Sequence, residues 1–87
     1  MKVRFIGPFR DLFGDDLYMD LQQPITVRTL LTILSDKNSA FGKIGTLQND
    51  AELSGHLAVF KAGRLLRLDE TLSGGDEIYL MLPATGG

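Results

Sequence analysis

A single stretch of this chain carries the period of a long α-helix. Val27, Leu30, Leu31 and Leu34 fall at i, i+3, i+4 and i+7 and line one stripe of a helix over residues 27–37. Thr26 can supply the side-chain oxygen that the start of such a helix needs, and Asn38-Ser39 ends it. One helix covers one face of a sheet and no more. Whatever strands the chain forms must bring their apolar side chains to that face, against these four residues.

The strands are legible as alternations. Residues 2–6, KVRFI, put Val3 and Phe5 on one side, and residues 16–21, DLYMDL, do the same with Leu17, Met19 and Leu21. They predict an antiparallel hairpin whose loop, Arg10 to Asp15, is a turn with Gly14 at positive φ. Residues 40–55 hold three glycines and scattered apolar positions, which predicts a connection with one short helical turn, Phe41 and Leu47 packing back on the domain. Residues 56–62, HLAVFKA, alternate again; Gly63 turns the chain, Leu65-Leu66 begin a return strand, and Asp69-Glu70-Thr71-Leu72 reads as a helical turn. The last strand, EIYLML at 77–82, points Ile78, Leu80 and Leu82 inward and Tyr79 and Met81 outward.

The fold class that follows is α+β, a mixed sheet of four to five strands with one main helix packed on one face. The other face has no cover within the chain. Phe60, Tyr79 and Met81 lie there on strands expected to be neighbours, and an apolar, aromatic patch on an open sheet face suits a protein partner.

Composition narrows the function by exclusion. Eighty-seven residues with 44% hydrophobic and 23% charged residues make one domain with a modest core. No cysteine means no disulfide, thiolate metal site or nucleophilic thiol, and a single histidine excludes a multi-histidine metal site. The net charge is -2 and the nine Lys and Arg are scattered from Lys2 to Arg67, so nucleic acid is not an expected partner. The apolar run in MKVRFIGPF is broken at Arg4, Gly7 and Pro8 and does not make a signal peptide. No segment approaches the length of a membrane span, and a cytoplasmic protein is expected.

Chemical motifs are equally sparse. Gly42-Lys43-Ile44-Gly45-Thr46 lacks the frame of a phosphate-binding loop. The acidic pairs Asp15-Asp16, Asp69-Glu70 and Asp76-Glu77 flank turns, where carboxylates face water. His56 has no Ser or Cys to activate. No set of nucleophile, base and orienter can be assembled, which leaves the C-terminal segment.

That segment, LPATGG at 82–87, fits two patterns. LPxTG is cut by cell-wall sortases, but those substrates are exported and carry a further apolar stretch. Gly86-Gly87 fits the free ends of ubiquitin-like proteins: without Cβ atoms it can enter a narrow channel and bring its carboxylate to another enzyme's active site. Pro83, restricted in φ, projects the segment from the sheet, and Ala84 and Thr85 add little bulk. The expected division is a domain over 1–83 and a flexible tail over 84–87.

The opening KVRFIGPFRDLFG, the helix TVRTLLTIL, the hairpin AVFKAGRLL and the closing TLSGGDEIYLMLPATGG together resemble the ubiquitin-like β-grasp sulfur carriers of the MoaD/ThiS type. The likeness is strongest to the small subunit of molybdopterin synthase. It implies a carrier that is not itself an enzyme and binds no cofactor. An ATP-using adenylyltransferase related to ubiquitin-activating enzymes would activate Gly87, and sulfur would replace AMP to leave a thiocarboxylate. The large synthase subunit would then receive the tail Ala84-Thr85-Gly86-Gly87 and supply the catalytic side chains. Related possibilities are a thiamine-pathway sulfur carrier and a modifier joined through Gly87 to target lysines. One departure lies in the hairpin, where the family often has Asn-Gly and this chain has Ala62-Gly63.

Overall fold

The structure, a computed structural model, describes residues 1–83; the expectations for Ala84, Thr85, Gly86 and Gly87 lie outside the described residues. The first strand, β1 (Lys2–Phe5), buries Val3 and Phe5 as its alternation requires. Pairing continues one residue further, because the Ile6 N–H donates to the Leu80 carbonyl at 2.9 Å. The expected turn after it contains a short helix, α1 (Phe9–Phe13). Pro8 pre-sets the entry with φ -64°, and Phe9, Leu12 and Phe13 fall at i, i+3 and i+4, so one turn buries three apolar side chains. Gly14 then takes φ +85°, as the turn reading required.

Strand β2 (Asp16–Tyr18) is shorter than the alternation of 16–21 implied, yet Leu17, Met19 and Leu21 all pack toward the core. A two-residue strand, β3 (Ile25–Thr26), leads into α2 (Val27–Lys37). Thr26 caps it as expected, its Oγ1 accepting from the Thr29 N–H at 3.1 Å. Val27, Leu30, Leu31 and Leu34 are each at most 1% exposed. The helix stripe is the centre of the core.

The segment read as a connection is more ordered than one helical turn. A 3-10 helix (Ser39–Thr46) is started by the Asn38 side chain, which accepts from the Ala40 N–H, and α3 (Asp50–Ser54) is capped by Asn49, whose Oδ1 accepts from the Glu52 N–H, while the Glu52 carboxylate accepts from the Gln48 N–H. Phe41 drives the first piece inward: it is 1% exposed and meets Phe9 and Phe13 edge-on, at 5.8 and 5.3 Å between ring centroids. Gly45 permits the close approach of this segment to α2, since a Cβ there would fall 2.1 Å from Ser35 Oγ.

Strand β4 (Ala58–Lys61) turns through Ala62-Gly63 into β5 (Arg64–Leu65). Leu57, Val59 and Leu66 are buried, while Phe60 and Leu65 pair directly on the opposite face. The helical turn expected over 69–72 is not there. Thr71–Leu72 form β6, antiparallel to β3 with Leu72 opposite Ile25. The reason lies at the start of α2, whose first N–H groups have no partner within the helix. The carbonyls of Glu70 and Leu68 accept from Val27 and Arg28 at 3.0 and 2.9 Å, so this segment stays extended to cap the helix.

The last strand, β7 (Glu77–Met81), buries Ile78 and Leu80. Leu82 does not complete the inward set. It lies beyond the strand's end and is 54% exposed. The main sheet runs in the order β2-β1-β7-β4-β5, with β1 and β7 parallel and the other pairs antiparallel. The helical segments all lie on one side of it, as the single-stripe argument demands.

Two features of the turns generate measurable expectations. Ala62 holds φ +53°, a left-handed conformation costly for a residue with a Cβ and tolerated better by Asn. Ala62→Asn should therefore raise stability by about 0.5–1 kcal/mol in denaturant titration. Asp76, one residue before β7, accepts from the Ser73 N–H at 2.7 Å and from Lys61 Nζ at 3.2 Å; the backbone donor first and then Lys61 hold its carboxyl below the ordinary 3.8. A depressed carboxyl stabilises the folded chain above 3.8 and loses that contribution as pH falls further. Asp76→Asn should cost about 1 kcal/mol near neutrality, and its stability should converge with that of the parent chain in acid.

Candidate functional site

The strand register arranges the uncovered face into rows. Asp16, Arg4, Tyr79, Phe60 and Leu65 form one continuous cross-strand row over all five strands. On the side where β7 ends, Met81 stands opposite Ala58, and Ile6 extends the row on the β1 side. On the other side, Tyr18, Lys2 and Glu77 form a third row.

The three residues expected on this face are there and adjoin one another. Phe60 is the direct cross-strand partner of Tyr79, and Met81 follows two residues later on the same side of β7. All three are half-buried, because neighbours in the sheet shield their flanks. The inward alternation of Val3 and Phe5 already implied Ile6 on this face, 42% exposed; the Ala62-Gly63 hairpin sets Leu65 beside Phe60, 53% exposed. Leu65 joins the face through its cross-strand register with Phe60, which alternation within one strand does not reveal.

Chemistry divides the face in two. The part around β1 and β2 is charged: Arg4 Nε lies 3.3 Å from Asp16 Oδ1, and Lys2 Nζ lies 4.0 Å from Glu77 Oε2. The Arg4 guanidinium also stands 5.8 Å from the centre of the Tyr79 ring. The Tyr79 hydroxyl donates to Glu77 Oε1 at 2.5 Å, and that bond, with Lys2 and Arg4 nearby, holds the Glu77 carboxyl below its usual range. The part toward the end of β7 is apolar, made by Ile6, Met81, Ala58, Phe60 and Leu65. Tyr79 spans the boundary, with its ring beside Phe60 and its hydroxyl in the charged network.

No group of three or more His, Asp or Glu side chains among the described residues is placed to hold a metal ion. His56 is exposed beyond the end of α3, and the acidic pairs lie at turns as their positions in sequence suggested. Among the described residues, the open face brings together apolar and charged side chains but no set of nucleophile, base and orienter.

A family model described as the ThiS family matches residues 3–87, nearly the whole chain. The chain belongs to the ThiS family. Members of this ThiS/MoaD-like group are small ubiquitin-fold sulfur carriers and are generally not catalysts themselves. The architecture described above is accordingly a ubiquitin-like β-grasp. Among solved structures, a Pyrococcus furiosus protein assigned as molybdopterin converting factor, subunit 1, is similar with 25% identity over 95% of each chain and a TM-score of 0.77. The Haloferax volcanii HVO 2177 protein is similar with 28% identity, over 99% of this ThiS-family chain and 84% of its own, with a TM-score of 0.75. Small archaeal modifier protein 1 of Haloferax volcanii shares the fold, with 22% identity over 95% of each chain and a TM-score of 0.70. No curated protein sequence matches the chain. No helix among the described residues is long and apolar enough to cross a membrane.

Proposed function

We propose that this chain carries sulfur as a thiocarboxylate on Gly87 and donates it during molybdopterin formation. The observation that carries the reading is positional. β7 is the middle strand of the sheet, and it ends against the apolar part of the open face. A partner that covers Ile6, Met81, Phe60 and Leu65 is thereby led to the point where the last residues leave the domain. The likeness to the Pyrococcus furiosus protein supports the choice of pathway.

The chemistry needs nothing further from the chain. The Gly87 carboxylate attacks the α-phosphorus of ATP on an adenylyltransferase, pyrophosphate leaves, and an acyl adenylate remains. A sulfur nucleophile attacks the acyl carbon and AMP departs with the carbon–oxygen bond. The thiocarboxylate sulfur then attacks an electrophilic carbon of a pterin precursor in the large synthase subunit and displaces an oxygen leaving group; water hydrolyses the resulting thioester, breaking the bond between sulfur and the Gly87 acyl carbon and returning the carboxylate. Gly86, with Gly87, keeps the approach to both enzymes narrow, and Ala84 and Thr85 make up the rest of the reach.

A second reading is conjugation, favoured by the fold shared with small archaeal modifier protein 1. The same acyl adenylate would then be taken by a lysine amine instead of sulfur. Incubating the chain with its cognate activating enzyme, ATP and a sulfur source, then taking intact masses, separates the two. Sulfur transfer replaces one oxygen of Gly87 by sulfur, conjugation gives a product joined to a target lysine, and an unchanged mass defeats both. The docking face has its own test. Phe60→Arg and Met81→Arg should each weaken binding to the large subunit by about 2 kcal/mol or more in titration calorimetry. Thermal unfolding should change little, since the arginine stem can lie along the open sheet.

A further inference from the structure

Of the two strands at the margins of the main sheet, β2 leaves the longer row of main-chain groups without partners. The Phe5 N–H donates to the Asp15 carbonyl and the Met19 N–H to the Met1 carbonyl, so Asp15, Leu17 and Met19 turn their main-chain groups toward β1. The N–H and carbonyl groups of Asp16 and Tyr18 therefore point away from the sheet, and none of them is bonded among the described residues. On β5 only Leu65 is turned outward in this way. We propose that the β2 edge takes up an extended segment of a protein partner that carries Lys or Arg at alternate positions, which lies beside β2 as an additional strand.

Register states what such a segment must present. Residues opposite Asp16 and Tyr18 would continue the rows of the open face, and those opposite Leu17 would lie on the face that holds the helices. Leu17 and Met19 stay only half-buried there, with no described strand beyond β2 to cover their outer flank, so this second set should be apolar. The first set should be basic. Asp16 is ion-paired with Arg4 at 3.3 Å, and a carboxylate has acceptor sites for a second cation. Asp20, exposed just beyond the strand, makes no ion pair among the described residues.

The same acids weigh against a second copy of this chain. Edge-to-edge pairing would bring Asp15, Asp16 and Asp20 of two molecules together at strand spacing, and like charge on an edge is a common guard against such pairing. A basic segment is drawn by the field that keeps copies apart. Attachment comes from the main chain, through the outward groups of Asp16 and Tyr18, and selectivity from the alternating side chains. Since β2 and β5 are opposite margins of the sheet, a segment held here leaves the apolar corner at Phe60 and Leu65 uncovered. The edge is thus a second contact, and its existence does not depend on the sulfur chemistry.

The test uses the full chain labelled with nitrogen-15 and a short synthetic peptide alternating lysine and valine, blocked at both ends. On titration the amide resonances of residues 15–20 should shift and saturate. Hydrogen exchange at the Asp16 and Tyr18 N–H groups should slow, while exchange at Met19, already bonded to Met1, should stay as it was. Tyr18→Pro removes one outward donor at a position where an edge strand tolerates proline, and should weaken binding about tenfold. Asp20→Lys keeps every main-chain group and alters only an exposed side chain; it should weaken binding and flatten its dependence on salt. A peptide alternating glutamate and valine should not bind. Equal binding of the glutamate peptide, unchanged exchange at Asp16 and Tyr18, shifts confined to the corner at Phe60 and Met81, or full affinity in Asp20→Lys would each overturn the proposal. So would slower exchange at Asp16 and Tyr18 on raising the protein concentration without peptide, which would assign the edge to a second copy.

Discussion

Parallel pairing of β1 with β7, Lys2 to Phe5 against Glu77 to Leu80, is the contact on which the rest of the molecule depends. It joins the two ends of the chain at the middle of the sheet, and everything between must leave one strand and return to the other in the same direction. Such a return crosses a sheet face, and α2 makes the crossing. The N-terminal ammonium reinforces the join, bonding to the Met19 carbonyl at 2.7 Å and to the Gly74 carbonyl. With α2 and the shorter helical pieces committed to one face, the other is left open by topology. The open face is thus a consequence of how β1 and β7 meet.

Parallel pairing also fixes where the last strand ends. A C-terminus on an edge strand would leave the domain beside one neighbour; here β7 has β1 on one side and β4 on the other. Ile6, Met81 and Ala58 consequently converge beside the strand's end. Energetically this apolar part is what a partner can bury, whereas the Arg4–Asp16 and Lys2–Glu77 pairs are partly solvated and contribute modestly to stability. On the proposed docking they would act in orientation: a partner carrying charge on one side and apolar groups on the other would seat in one sense only.

The core of this design was legible in the sequence because it obeys local periods. The stripe Val27, Leu30, Leu31, Leu34 and the alternations at Val3, Phe5 and at Ile78, Leu80 were enough to place the sheet, the helix and the uncovered face. What was not legible depends on partners distant in sequence. Thr71-Leu72 carries no strand pattern of its own, and its extended form is imposed by the unpaired N–H groups at the start of α2. The helix Phe9–Phe13 was hidden because a single turn is too short for a period to show, although Phe9, Leu12 and Phe13 are spaced for it. Leu82 continued an alternation past the end of β7. The site followed the same rule: Phe60, Tyr79 and Met81 were found from alternation, while Leu65 and Arg4 joined them through register.

On the proposed function the reacting group is a terminal carboxylate, and the fold then needs no assembled active site. A catalytic centre requires several side chains held in mutual geometry, and substitutions near it are constrained by that geometry. This chain must keep a sheet whose ends meet, one open face with an apolar corner, and a narrow exit beside that corner. These are constraints on shape and polarity, which many residues satisfy. That accounts for a TM-score of 0.77 alongside 25% identity with the Pyrococcus furiosus protein. It accounts as well for Ala62 at a left-handed position, since the hairpin need only turn and can bear the strain. On that function, the rows of the open face, where Arg4, Tyr79 and Glu77 set the charge pattern, are what a receiving enzyme would have to complement.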